Sequence, residues 1–366
     1  MESLSKSFHQ NIRVVRLNSK AKYLLGLLLI PILYIGYHLW IPIRSVLTES
    51  LSTPSPSQVS DFLPVHEAES LCSSYNLSIY PERTRRKIYD LFLIDTELDL
   101  LEVRLHELQH EVDYFVIIES THTFTKNPKP MNFRDNYKRF EAFLPKIIYR
   151  AINFDHITDD DPWKCELYAR NSLFDTIFPS LLGPSAPEQG DVIIVSDADE
   201  IPRPSTLVTL RNCQFPERTT LRTVFTRYSF QWLWTGNGDL GWQHPQATYY
   251  QGNNTVKPED LRRNLDNAWD MRNAGWHCSW CFPTIADVIH KIESFSETVV
   301  NQPYNKHPEV IVDRIRQGVG IFRLDPEDLT RLDANEDIPE YIKENRQKFE
   351  YMLDRDPENA NFKDWS

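Results

Sequence analysis

The 366-residue sequence has five cysteines, too few for a scaffold held together by disulfides, and the odd number leaves at least one without an intramolecular partner. It is short of positive charge as well. Forty Lys and Arg stand against 52 Asp and Glu, a formal net charge of −12. That balance argues against nucleic acid as a partner, which needs a basic footprint. The chain has no internal repeats. What it has in plenty is aromatic side chains, 12% of the total with nine Trp and sixteen Tyr. Such a composition suits a surface that stacks on sugar rings, and equally a core filled by large rings. The length allows one large domain with appendages or two modest ones.

Charge is missing altogether between Tyr23 and Ile43. About 20 apolar residues span the hydrocarbon core of a bilayer as a helix. Pro31 is tolerable there, and Tyr37 and Trp40 sit where an interfacial belt would fall. Residues 1–22 carry Lys6, Arg13, Arg16, Lys20 and Lys22 against the single acid Glu2. The basic side stays cytosolic, so the sequence predicts a signal anchor over 23–43 and a lumenal remainder. Residues 44–84, with the tract Ser50 to Ser57 rich in Ser and Pro, read as a flexible stem. The folded domain is expected over 85–366. Asn76-Leu77-Ser78 and Asn253-Asn254-Thr255 are glycosylation sequons that fit this topology.

Within that domain, Ile88 to Ile94 is strand-like. Asp95-Thr96-Glu97 then opens a helix, with Thr96 a candidate N-cap and Leu98, Leu101, Leu105, Leu108 and Val112 on one face. Tyr114 to Ile118 is the next strand and ends in Glu119-Ser120, which completes a βαβ unit and implies a parallel sheet. Ile147 to Ile152 is a third strand, and Asp161-Pro162-Trp163 starts a helix with Pro in its first turn. Val192 to Val195 reads as a strand buried on both faces, followed at once by Ser196-Asp197-Ala198-Asp199-Glu200. In a parallel α/β sheet, ligands bind beyond the carboxyl ends of the strands, so these acids face a site. Two carboxylates so close repel unless a cation lies between them, and oxygen ligands suit Mg²⁺ or Mn²⁺. A solvated acidic loop is the plainer alternative. Further on, Thr219 to Phe225 looks like a strand, Tyr228 to Trp242 is dense in aromatics, and Asp337 to Leu353 looks like a final helix.

Four blocks occur in order: Glu97 to Arg104, Val116 to Ser120, Ser196 to Pro202, and Ala274-Gly275-Trp276-His277-Cys278-Ser279-Trp280-Cys281-Phe282. Together they resemble glycosyltransferase family 17. The resemblance implies an α/β, GT-A-like nucleotide-sugar-binding fold with a mostly parallel central sheet, preceded by one transmembrane helix. It implies a metal-dependent hexosyltransferase, single-pass type II in the Golgi membrane, with its catalytic domain in the lumen. Such an enzyme moves N-acetylglucosamine from UDP-GlcNAc, with inversion, to a β-linked mannose of an N-glycan core through a β-1,4 linkage. The implied cofactor is Mn²⁺ or Mg²⁺, and the implied partners are a UDP-sugar donor and a glycan or glycoprotein acceptor. Carried onto this chain, Asp197 and Asp199 hold metal and nucleotide, His277 completes the metal set, and Glu97 and Glu119 lie where the nucleoside binds. Arg170 pairs with a phosphate or with a nearby acid, and His277 could equally be a satisfied core residue.

Inversion needs a carboxylate base, for which Glu200, Asp239, Asp270 and Asp287 are candidates. Cys278 and Cys281 are expected to form a local disulfide in an oxidising lumen, leaving Cys72, Cys165 and Cys213 for at most one further pair. Two other functions compete. A haloacid-dehalogenase-type phosphatase also places Asp-x-Asp after an apolar strand, but it opens with that strand and wants Thr or Val where Ile201 stands. A catalytically inactive glycan-binding membrane protein is the second.

Overall fold

The computed structural model describes residues 59–236, 241–266, 268–322 and 329–366. The apolar run at 23–43, the Ser/Pro tract and Asp239 lie outside the described residues. Among the described residues no helix is long and apolar enough to cross a membrane.

The sheet is built around β2 (Ile88–Ile94), flanked in parallel by β3 (Tyr114–Ser120) and β5 (Val192–Asp197), with β4 (Ile147–Ile152) parallel to β3. Side chains alternate across a strand. Accordingly Ile88, Phe92, Phe115, Ile117, Val192 and Ile194 pack on one face, with α2 (Leu98–Leu108) contributing Leu101, Leu105 and Leu108. Tyr89, Leu91, Val116, Ile118, Ile193 and Val195 pack on the other with Leu173 of α3 (Pro162–Asp175). Three layers result, helix, sheet and helix, and the near-continuous apolar strands follow from burial on both faces.

The mostly parallel sheet expected from the resemblance holds for this half only. Beyond β5 the order continues through β10 (Gln246–Tyr249), β8 (Thr219–Arg227), β9 (Trp232–Trp234) and β12 (Leu329–Arg331), all antiparallel to their neighbours along the path. The long β11 (Trp269–Ser279) runs parallel to β8 and antiparallel to the short β6 (Glu200–Pro202). A further apolar cluster lies past this half, where α6 (Ile285–Ser294) and α7 (Pro308–Gln317) pack Val288, Ile292, Ile311 and Ile315.

Two boundaries differ from the sequence reading. The folded region begins before residue 85, because α1 (Val65–Ser74) and β1 (Ser78–Ile79) belong to it. Cys72 in α1 is bonded to Cys213, at the start of β7 (Cys213–Gln214), and β1 pairs with β7. These links bind a segment whose composition reads as stem. The last helix is broken into α8 (Glu340–Glu344) and α9 (Glu350–Leu353), and Tyr341, Phe349 and Tyr351 dock toward α2 between and within them. Thr96 does not cap α2; the N-cap is Glu97, and it makes no side-chain cap bond.

Candidate active site

The turn from β5 into β6 carries Asp197, Ala198 and Asp199, and it is fixed from beneath. Arg104 of α2, fully buried, forks onto the buried carboxylate of Asp90 in β2 at 2.6 and 2.7 Å. Its remaining nitrogen donates to the carbonyl oxygens of Asp197 at 3.2 Å and Glu200 at 2.7 Å. Glu200 in turn accepts from the Asp197 amide at 2.9 Å, closing the turn on itself. Strand β6 then sets His277 beside the acids through the register His277↔Glu200, and the Cys278 amide donates to the Asp199 carbonyl. Gly275 permits this approach, since a Cβ there would lie 2.5 Å from the Ile201 carbonyl oxygen.

A cavity of about 420 Å³ opens at the carboxyl ends of β2, β3 and β5. Asp197, Asp199, Glu200, His277, Arg170 and Glu97 all line it, so six of the sequence-nominated residues meet at one place. Glu119 does not join them. It is fully buried on the far face of β3 and accepts from the amides of Phe133 (2.8 Å) and Arg134 (3.2 Å) and from the Tyr149 hydroxyl (2.8 Å). The alternation of the strand sends Ile118 and Ser120 to the cavity and Glu119 away from it. Its work is to cap the helical turn Asn132–Asp135, and the expected nucleoside contact does not fall on it.

The charges are arranged in pairs. Arg262 in α5 (Pro258–Arg263) donates to Glu200 at 2.7 and 3.1 Å and to Asp197 at 2.9 Å. Trp242 adds a bond from its indole nitrogen to Glu200 at 3.1 Å. Burial would raise both carboxyls, but Arg262 overrides it for each, helped by Arg170 at Asp197. Asp197 is held well below the usual carboxylate range, and Glu200 falls to about 2. Arg170 bridges Glu259 (2.7 Å), Glu166 (2.7 Å) and Asp197 (3.3 Å), so of its two anticipated partners it takes acids here. Across the cavity, Lys291 of α6 bonds Glu97 at 3.0 Å. Burial would lower its pKa, yet Glu97 and Asp199 drive it upward, so the ammonium stays charged. Asp95, just past β2, is paired with His290 at 2.8 Å and Lys129 at 2.9 Å.

His277 Nε2 lies 3.5 Å from Asp199 Oδ2, while its Nδ1 is buried without a hydrogen-bond partner. A carboxylate and an imidazole facing one cavity fit part of the shell of a divalent cation. Asp197 fits less well than expected, because both its oxygens accept from guanidinium groups. Among the described residues no group of three His, Cys, Asp or Glu gathers as a metal set. A cation held at Asp199 and His277 would therefore draw its other ligands from substrate phosphate and water.

Of the other candidate bases, Asp270 is paired with Arg222 at 2.9 Å and Asp287 lines a separate, smaller cavity. Neither lines the main one. The Cys278–Cys281 disulfide is present as expected, Cys72–Cys213 is the further pair, and Cys165 is free and buried. Arg262, Lys291 and Glu297 were missed by sequence reasoning, and no local pattern flags them; Trp242 was noticed only as the end of an aromatic-dense stretch. Asp95 could have been found, since it follows a buried strand as Asp197 does.

A family model described as Glycosyltransferase family 17 matches residues 17–358. The beta-1,4-mannosyl-glycoprotein 4-beta-N-acetylglucosaminyltransferase of Homo sapiens is 28% identical over 308 residues, which cover 75% of this chain and 56% of that protein. The protein of the same name from Rattus norvegicus is 28% identical over 317 residues, covering 77% and 58%. The chain thus spans a little over half the length of these curated relatives. Among solved structures, the mannosyltransferase PcManGT from Pyrobaculum calidifontis, in complex with GDP-Man and Mn²⁺, superposes loosely. Its TM-score is 0.30 at 12% identity, over 63% of this chain and 68% of that one.

Proposed function

The chain belongs to glycosyltransferase family 17, and on that premise we propose that it transfers N-acetylglucosamine from UDP-GlcNAc to a mannose of an N-glycan. The proposed linkage is β-1,4, the fold GT-A-like, and the reaction assisted by Mn²⁺ or Mg²⁺. The observation that carries this reading is the single cavity in which Asp199 and His277 face Lys291 and Arg170 at the carboxyl end of β5. Acids able to hold a divalent cation and fixed positive side chains in one cavity suit a diphosphate that must depart with its charge neutralised.

Asp199 and His277 would hold the cation, which stabilises negative charge on the departing diphosphate when bound. Lys291 supplies positive charge on the same cavity without needing to move a proton. Arg262 and Arg170 fix Asp197 and Glu200, so the turn that carries Asp199 stays rigid. Preorganised charge of this kind needs no rearrangement as the bond breaks. Inversion follows from one displacement, in which the acceptor hydroxyl oxygen attacks the anomeric carbon and UDP leaves from the opposite face.

The proposal extends to a location in the Golgi membrane with this domain in the lumen. The uncharged run at 23–43 and two disulfides support that placement, because disulfides persist in oxidising compartments. The phosphatase alternative needs Asp197 as a nucleophile, and both its oxygens are held by arginines. Incubation with UDP-GlcNAc, Mn²⁺ and a mannose-bearing N-glycopeptide tests the proposal. It is supported by a product heavier by one N-acetylhexosamine. Phosphate release from simple phosphomonoesters, with no sugar product, would replace it with the phosphatase reading.

A further inference from the structure

We propose that Glu297 is the general base that takes the proton of the acceptor hydroxyl, an assignment that rests on the transferase reading above. Seven carboxylates line the main cavity, and six of them have work already. Asp95 is bonded to His290 and Lys129, and Glu97 to Lys291. Glu166 is bonded to Arg170 and to the Ser296 hydroxyl. Asp197 and Glu200 share Arg262, and Asp199 faces His277. A carboxylate locked onto a guanidinium is a poor proton acceptor, because accepting a proton forfeits the ion pair. Glu297 alone of the seven is exposed, and among the described residues its carboxylate carries no hydrogen bond or ion pair.

Its backbone is nevertheless fixed, as a catalytic group requires. Glu297 follows the C-terminus of α6. The preceding Ser296 is buried and donates its hydroxyl to Glu166, which links the segment to Arg170 and through it to Asp197. Phe295 packs edge-on against Trp280, another cavity residue, with ring centroids 5.7 Å apart. The Thr298 amide donates to the Ser296 carbonyl at 2.9 Å, and the next residues form a single 3₁₀ turn, Thr298–Val300. The side chain thus projects from an anchored segment onto the same cavity as Asp199 and Lys291.

In the step, the acceptor oxygen forms a bond to the anomeric carbon and gives its proton to a Glu297 Oε. The bond from that carbon to the diphosphate oxygen breaks, and its electron pair leaves with UDP. Charge and atoms balance without any further reactant.

Glu297→Gln keeps the shape and removes the basic oxygen. The expected result is a kcat lower by roughly 10²–10⁴-fold, with KM values for donor and acceptor changed by no more than about threefold. The thermal shift produced by Mn²⁺ plus UDP should persist, and Glu297→Asp should recover part of the rate. A Glu297→Gln protein within about fivefold of normal kcat would overturn the assignment. Loss of the Mn²⁺–UDP shift would also overturn it and make Glu297 a donor-binding residue. Failure of the unmutated protein to transfer sugar removes the transferase reading and the base with it. Normal transfer by the unmutated protein beside an active Glu297→Gln removes the base alone.

Discussion

Replacing Arg262 by Met leaves a side chain of similar length with no charge, in a place where two acids depend on that charge. Glu200 is 1% exposed and would keep only the Trp242 indole and the Asp197 amide as partners. Removing one partner of a buried ion pair costs about 3–5 kcal/mol, because the other charge is left uncompensated. For a domain of this size each kcal/mol lowers Tm by about 2 °C, so the expected fall is about 6–10 °C near pH 7.

The pH dependence gives a sharper check. In the native protein Glu200 sits at about 2, below its ordinary value, so its contribution is complete above about pH 5 and fades as the pH falls toward 2. In Arg262→Met, burial wins and Glu200 moves above its ordinary value. The penalty is then full at neutral pH and shrinks as the group takes up a proton. Calorimetry of the two proteins between pH 8 and pH 5, at about unit intervals, should therefore show a Tm gap that narrows on acidification. A gap below about 2 °C at pH 7, or one that widens as the pH falls, would refute the assignment of Arg262 as the counter-ion.

Glu119→Gln should cost about 1–3 kcal/mol, since the new amide sets a donor against the Phe133 and Arg134 amides and the Tyr149 hydroxyl. Donor affinity should not change, and a titration with UDP-GlcNAc showing a weakened Kd would restore Glu119 to the binding site. Cys213→Ser opens the link to Cys72 across 141 positions, and unfolding in urea should show a loss of about 2–5 kcal/mol. An unchanged midpoint would mean that α1 is not part of the cooperative unit.

The parallel half of the sheet was legible because its strands are buried on both faces, and apolar runs punctuated by acids announce such strands. Asp197 and Asp199 were legible for the same reason, since they follow the most apolar strand directly. The antiparallel half was legible only at β8, where Thr219 to Phe225 reads as a strand; its pairing was not. Strands β8 to β12 are assembled by long-range pairing, and no local pattern says that His277 lies opposite Glu200, 77 positions earlier. Arg262 and Lys291 were hidden for a different reason. Each lies on a short amphipathic helix where a basic residue ordinarily faces water, and only tertiary packing turns it inward. Glu119 misled because its position after a strand matches that of Asp197, and the parity of the strand decides which of the two reaches the cavity.

UDP release from UDP-GlcNAc by the full-length protein in Mn²⁺, measured with a glycoprotein acceptor beside Asp199→Asn, bears on the proposed chemistry at its centre. Among the described residues the Asp199 side chain makes only the 3.5 Å contact to His277, so the amide variant should fold as well as the parent. A neutral amide oxygen is a poorer ligand for a hard dication, and losing several kcal/mol of transition-state stabilisation slows turnover on the order of a thousandfold. The expected result is acceptor-dependent release by the parent, abolished by a chelator, and release by Asp199→Asn lower by that factor. Near-normal release by a folded Asp199→Asn would contradict the placement of the cation and diphosphate at this turn.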